Sequence, residues 1–441
     1  MKRAWPALPV TLLALSFAIG GAQQSPNPSA DSVAIIGAKA YVQPGESPIE
    51  DATILVVKGR IQAVGVGLAV PAGMRSIDAK GRMVTPGLMN SASQLGLVET
   101  GTPDTSDSAV VTGPFGASFD VQYALNPNST LLPVARADGL TRVMVVPTGS
   151  ATPPFDGSGA VLRLSEGSDI LDLPQAAVVA EVGGMVVPKS GGSRGAQWML
   201  IRSALDAAQR RMATASSAHK ENSDTDKSTL LSTSNIEALV PVLKSKIPLV
   251  IVAYRESDLR QAVSLVDDYK IRVVIIGADE GWRVADLLAS HKIPVVLNPY
   301  ASTPATYDQI GARLDNAALL DRAGVVISFK AAFVHVSYNA GIAIREGAGI
   351  AVANGLPWPH ALKALTVNPA ETWGITAHYG TLQPGEDADL VIWDGDPLEP
   401  MSAPALVLIR GRQVSLETRQ TDLEKRYRPD RAGDSEPPGY R

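Results

Sequence analysis

Five histidines, no cysteine and a scattering of carboxylates and lysines bound the chemistry this 441-residue chain can do. His335 is a candidate general base, since an imidazole titrates near neutral pH without any help from its surroundings. Asp279, in Gly-Ala-Asp-Glu, is the candidate acid beside it, and Lys330 in Ser-Phe-Lys-Ala-Ala can neutralise Asp279 or Glu280 in a buried ion pair, or receive an anionic ligand. The pair is the expected arrangement, because an unpartnered buried ammonium is costly. Ser91 and Ser93 suggest a serine hydrolase, but neither lies in a Gly-x-Ser-x-Gly elbow and no Asp–His pair accompanies them. Gly157-Ser158-Gly159 lacks the rest of a dinucleotide fingerprint and reads as a turn before a strand. Without cysteine there is neither a disulfide nor a thiolate nucleophile.

The elements that must position these residues are legible between Ile247 and Ala331. Ile247–Tyr254 is a continuous apolar run, as a strand covered on both faces must be. The next segment carries Leu259, Val263 and Val266 on one helical face, with Asp258 in the first turn, where a helix dipole favours an anion. Further apolar runs (KIRVVIIGA, KIPVVLNPY, GVVISFKA) alternate with helical segments at βαβ spacing, which predicts a parallel sheet. Thr141–Val146 adds a strand and Gln197–Arg211 a helix.

The ends of the chain have a different texture. Residues 1–22 combine Lys2 and Arg3, an apolar run from Val10 to Ile19 and small residues before Gln23, the pattern of a cleaved signal peptide; a periplasmic or secreted location is expected. Residues 23–31 read as a linker. Short β-rich runs then alternate with turns to Met83, with a two-residue hairpin turn at Gly59-Arg60 between Val56–Lys58 and Ile61–Val64, and the same texture returns in Thr381–Asp396 and Ala405–Val414. The two ends are expected to build one β-sandwich from residues 32–85 and 380–418. The polar stretch 213–235 reads as a mobile excursion, and the charged, proline-bearing tail 419–441 as disordered. The net charge of −5 and the lack of a basic cluster argue against a nucleic-acid partner.

Three phrases, in order, resemble the amidohydrolase superfamily, and within it the imidazolonepropionase-like branch. Met83–Leu97 (MVTPGLMNSASQLGL) is similar to the Pro-Gly-Leu turn by which those proteins leave the sandwich and enter barrel strand 1; Leu365–Ile375 and Gly380–Leu398 are similar to the segments that return to it. The resemblance implies a (β/α)8 TIM-like barrel over residues 86–379 plus the sandwich, and a site at the C-terminal ends of the strands. It also implies one or two divalent metals, held by imidazoles and a carboxylate, that lower the pKa of a bound water.

This chain departs from that pattern where the metal should sit. The His-x-His positions fall on Ala92 and Gln94, the strand-5 histidine near Val252 to Tyr254, the strand-6 histidine on or beside Gly277, and the strand-8 aspartate in a stretch offering Lys330, Ala331 and Ala332. No strand-4 bridging residue can be placed between Ala177 and Ser193, with Lys189 a possibility only. His219, His291, His360 and His378 lie away from strand ends, leaving His335 alone near a barrel mouth. No metal is therefore expected, although zinc belongs to the alternative of retained hydrolysis. The polar ring around the barrel mouth is expected to comprise Asn90, Ser93, Gln94, Tyr254, Arg255, Asp279, Glu280, Asn298, Lys330 and His335. It reads either as a metal-free pocket for a small ligand or as groups that hydrogen-bond one another.

The expectation is an exported protein of amidohydrolase fold that binds a small molecule or partners an active paralogue, with oligomers possible and no stable membrane span. One alternative is a hydrolase of non-peptide or cyclic C–N bonds acting through Gln94, Tyr254, Asp279 and His335. The other is a structural component of a periplasmic complex.

Overall fold

A computed structural model of the chain describes residues 31–99, 107–216, 231–331 and 338–428. Segment 1–22, where a signal peptide is expected, most of the linker, His219 and His335 lie outside the described residues.

The strands in chain order are β1 (Val33–Ala40), β2 (Ile49–Val57), β3 (Arg60–Val66), β4 (Arg75–Asp78), β5 (Met83–Pro86), β6 (Leu88–Ser93), β7 (Leu140–Val145), β8 (Phe155–Arg163), β9 (Leu171–Glu181), β10 (Leu249–Ala253), β11 (Val273–Gly277), β12 (Val295–Leu297), β13 (Ile327–Phe329), β14 (Leu390–Trp393), β15 (Pro404–Ile409) and β16 (Arg412–Gln413). The helices are α1 (Leu131–Ala137), α2 (Arg194–Ser216), α3 (Thr233–Ala238), α4 (Val240–Leu243), α5 (Glu256–Tyr269), α6 (Ala285–Ser290), α7 (Asn316–Arg322), α8 (Ala340–Ala353), α9 (Trp358–Ala364), α10 (Val367–Trp373) and α11 (Arg419–Tyr427).

One eight-stranded sheet is drawn from both ends of the chain, in the order β16-β15-β14-β5-β1-β2-β3, with β4 also on β1. Its register joins distant segments, Val84 opposite Ile392 and Pro86 opposite Leu390. Alternate residues from both ends (Val33, Ile35, Ile54, Val84, Leu390, Leu408) close a core of its own. The β2–β3 hairpin turns at Lys58 (φ 50°) and Gly59 (φ 76°), one residue before the expected Gly59-Arg60, because these two successive positive φ angles make the type I′ turn and Arg60 already opens β3. Gly59 is required there, since a Cβ would meet the Arg410 carbonyl oxygen at 2.7 Å.

The second sheet is the barrel, in the order β6 to β13. Strands β9 to β13 pair in parallel, as do β6 and β7. The third barrel strand differs from an ideal (β/α)8 arrangement: β8 is antiparallel to both β7 and β9, so this arc is a meander without crossover helices. Gly157-Ser158-Gly159 lies inside β8 and not in a turn before a strand. The reversal is possible because Arg163 to Leu171 return through a tight connection, leaving β9 in the orientation of β10.

Alternation along the strands divides the core in two. Met89, Met144, Val161, Val179, Val250, Val274 and Val296 fill the barrel interior. Leu249, Ile251 and Ile275 face outward beneath the helices. Two expected boundaries also move. The stretch 213–235 is helical to Ser216 and again from Thr233, and the Asn235 carboxamide is buried, accepting from the Gly116 and Ser118 amides at 3.0 Å each. The tail begins with α11, held by a reciprocal Thr418–Thr421 capping box, which local chemistry supports despite its exposure.

Candidate functional site

At the C-terminal ends of the barrel strands is a cavity of about 900 Å3. Each strand end on its far side contributes one polar group: Glu181 closes β9, Tyr254 follows β10, Asp279 follows β11, Asn298 follows β12 and Lys330 follows β13. The outer wall is largely the connection after β12, which brings Tyr300, Thr303, Thr306, Asp308 and Gln309; α8 adds Ile342, Ala343 and Glu346.

Burial raises the carboxyl of Glu181, opposed by the charges of Lys330 and Lys189. Asp279 is also pushed up by burial, against a 2.7 Å hydrogen bond from Gln309 Nε2 and the charge of Lys330. The Lys330 ammonium is driven down by the same desolvation, opposed by Asp279 and Glu181. Among the described residues the expected Lys330 ion pair is not formed: Nζ donates a long 3.4 Å bond to the Ala331 carbonyl, and Glu280 instead accepts the Glu256 amide at 2.9 Å, fixing the start of α5. Burial pushes the Tyr254 phenol up, with the Glu181, Asp279 and Asp308 charges adding to it.

The sequence-predicted ring is thus split. Tyr254, Asp279, Asn298 and Lys330 come together around the cavity, whereas Asn90, Ser93, Gln94, Arg255 and Glu280 do not line it. Asn90 is fully buried, donating to the Ala340 carbonyl at 3.1 Å and accepting the Ala92 amide at 3.1 Å, so it ties β6 to α8. Gln94 turns to Thr148, to whose hydroxyl its amide donates at 2.8 Å. His335 lies outside the described residues.

Two features escaped the sequence reading. Glu181 occupies the strand-4 position that could not be placed, and the signal for it was an apolar strand (AAVVA) ending in glutamate before Gly183-Gly184. The second is the wall after β12, fastened by the ion pairs of Arg194 with Asp308 and Asp258, and by the Gly184 amide donating to Asp308 at 2.7 Å. Asp258 is therefore more than a helix-start anion, since it also accepts from the Trp198 indole at 3.2 Å.

The residues at the metal positions do not fit a divalent ion. Ala92 packs into the barrel core and Gln94 is engaged with Thr148. Gly277 cannot be exchanged for a ligand in this arrangement: its φ is 107°, and a Cβ would meet the Tyr254 ring at 2.8 Å. Lys330 places a cation near Glu181 and Asp279, the two carboxylates such an ion would need. Among the described residues no group of three or more histidines and carboxylates is placed to hold a metal. His291 bonds the Leu287 carbonyl at 2.9 Å, His360 bonds Asp321 at 2.8 Å, and His378 approaches Asp172 at 3.4 Å, all away from the cavity.

Comparison with known proteins agrees with this architecture. The sequence model of the amidohydrolase family matches residues 285–416. An amidohydrolase from Thermotoga maritima superposes with a TM-score of 0.77 at 25% identity, over 87% of this chain and 99% of that one. A triazine hydrolase variant shares the fold at a TM-score of 0.52 and 17% identity, over 89% and 97%. A dihydroorotase from Geobacter sulfurreducens is 31% identical over 150 residues, 32% of this chain and 33% of that protein. The amidohydrolase TasK of Hapsidospora irregularis is 46% identical over 57 residues, 13% of this chain and 6% of that protein. The chain thus matches a third or less of the length of these curated relatives. A sandwich-type sheet made from both chain ends, a nearly closed eight-stranded barrel and these matches together place the chain in the amidohydrolase superfamily.

Proposed function

We propose that this chain is a ligand-binding member of its superfamily, holding a small molecule at the barrel mouth without metal-dependent hydrolysis. The observation that carries this reading is the Lys330 ammonium, set near Glu181 and Asp279 at the ends of the barrel strands. An ammonium there, whose charge Asp279 and Glu181 favour against the burial that opposes it, repels a divalent ion and balances part of the carboxylate charge that would attract one. A cavity of about 900 Å3 with a few convergent polar groups and an apolar wall has the form of a small-molecule site. The protein purified without chelator should contain far less than one equivalent of zinc, and small ligands should raise its melting temperature by mass action. Stoichiometric zinc removable only by chelator, with hydrolysis lost on its removal, would overturn the proposal.

Residual hydrolysis of a C–N bond is the second reading, favoured by the Glu181 and Asp279 carboxyls at the cavity, which burial raises toward holding a proton they could transfer. Turnover of dipeptides or cyclic amides that survives chelation and falls at least a hundredfold in Asp279→Asn would select it. Residues 1–22 support export, and an active paralogue as partner remains part of the same proposal. Isolation from the native cell at monomer mass would remove the partner.

A further inference from the structure

We infer that the barrel pocket selects a small organic cation, a primary ammonium or guanidinium on an apolar body, with Glu181 as its principal counter-charge. This rests on reading the pocket as a ligand site. Four carboxylates line the cavity, from Glu181, Asp279, Asp308 and Glu346, against one lining ammonium, that of Lys330. Three of the four are engaged by protein groups. Asp308 is paired with Arg194 and accepts the Gly184 amide, Asp279 accepts from Gln309 at 2.7 Å, and Glu346 accepts the Tyr300 hydroxyl at 2.6 Å.

Glu181 differs from these. Among the described residues its carboxylate accepts no hydrogen bond and forms no ion pair, although burial alone raises its pKa and Lys330 and Lys189 act on it only through their fields. Even with Lys330 and Arg194 both counted against the four acids, the lining keeps an excess of negative charge. Asp258 takes a share of Arg194 as well.

Glu181 is half-buried at the cavity, so its carboxylate is only partly solvated, and an entering cation with N–H groups supplies both an opposite charge and donors for it. An anion would have to reach Lys330 past that excess, while a neutral ligand would displace water from Glu181 without offering it a charge. Val182, Met185, Ile342 and Ala343 provide apolar contact for the rest of the ligand, and the volume accommodates a body of several carbons.

The test is titration calorimetry on the full protein with matched probes: n-hexylamine and agmatine as cations, hexanoate as anion and hexanol as neutral. Both amines are expected to bind at least tenfold more tightly than hexanoate, and less tightly in high salt. Glu181→Gln should weaken amine binding at least tenfold, while Lys330→Met should strengthen it severalfold. Each variant is checked for an unchanged circular dichroism spectrum. Hexanoate binding as tightly as the amines, amine binding indifferent to Glu181→Gln, or no binding by any probe overturns the inference. Metal analysis of the same preparation separates the two proposals, since stoichiometric zinc defeats the metal-free reading whatever the charge preference of the probes.

Discussion

Arg142 on β7 is fully buried, and its replacement by methionine isolates what joins the barrel to the terminal sheet. Nε meets Asp172 at 3.1 Å, Nη2 meets Asp387 at 3.0 Å, Nη1 approaches Asp389 at 2.5 Å, and the guanidinium lies 5.2 Å over the Tyr379 ring. Breaking one buried pair by deleting a partner costs about 3–5 kcal/mol, because the other charge is left stranded. Here the stranded acids retain other contacts: Asp172 keeps Arg163 at 2.9 Å, Asp389 keeps the Arg410 amide at 2.8 Å, and Asp387 keeps exposed Arg60 at 3.5 Å. The lower part of that range applies, roughly 3–4 kcal/mol. With an unfolding entropy of about 2.1 cal/mol/K per residue, this lowers the melting temperature of a chain of this length by about 4 °C. The loss should depend on pH. Burial already pushes the Asp389 carboxyl up, and without the guanidinium nothing of comparable charge pulls it back. The folded state then holds the proton more tightly than the unfolded state does, so the penalty is greatest at pH 8 and shrinks as the pH falls through the raised value. Melting of Arg142→Met and of Arg142→Met with Asp389→Asn, at pH 5 and 8, checks this. A single variant within 1 °C of the parent at pH 8, or a second substitution that recovers nothing, would refute the reasoning.

Two further outcomes follow from other charges. Asp138 accepts the Ile342 amide at 3.1 Å, and burial pushes its carboxyl up to about 6 from an ordinary value of 3.8, so its contribution is complete only below the ordinary value, largely kept at pH 4 and lost as the pH rises through 6. Asp138→Asn should therefore match the parent in urea denaturation at pH 4 and exceed it at pH 8 by on the order of 1–2 kcal/mol, the solvent-discounted value of such a shift. Arg194→Ala removes the cation between Asp258 and Asp308 and loosens the wall after β12; limited proteolysis should cut between residues 299 and 315 severalfold faster, and an unchanged rate would show that Gln309 and Gly184 suffice to hold it.

The strands from β10 to β13 were legible because a strand covered on both faces must be apolar throughout, and Leu249–Ala253 and Val273–Gly277 are. The hairpin was legible because turn chemistry is local, but its turn sits at Lys58-Gly59, one residue before the expected Gly59-Arg60, because a lysine can also take a positive φ. The reversal of β8 was not, since strand direction depends on pairing partners, and buried Phe155–Arg163 carries no sign of it in composition. The site was half readable for the same reason. Residues directly after a strand (Tyr254, Asp279, Lys330) fall at the barrel mouth by geometry alone. Gln94 also follows its strand, yet a single rotamer takes it to Thr148 and out of the cavity. The long wall from Tyr300 to Gln309 has no periodicity to announce it, and its place is set by Arg194, more than a hundred residues earlier.

The seam between Val84 and Ile392 has a consequence for biosynthesis. β5 sits between β1 and β14, so an interior row of main-chain donors and acceptors waits for a strand translated some three hundred residues later. Until the ribosome has delivered that strand, the early segment presents an open β edge inviting strangers. The order of translation therefore makes the terminal sheet one of the last parts to close, and a chaperone shielding β5 in the interval would raise the yield of native protein.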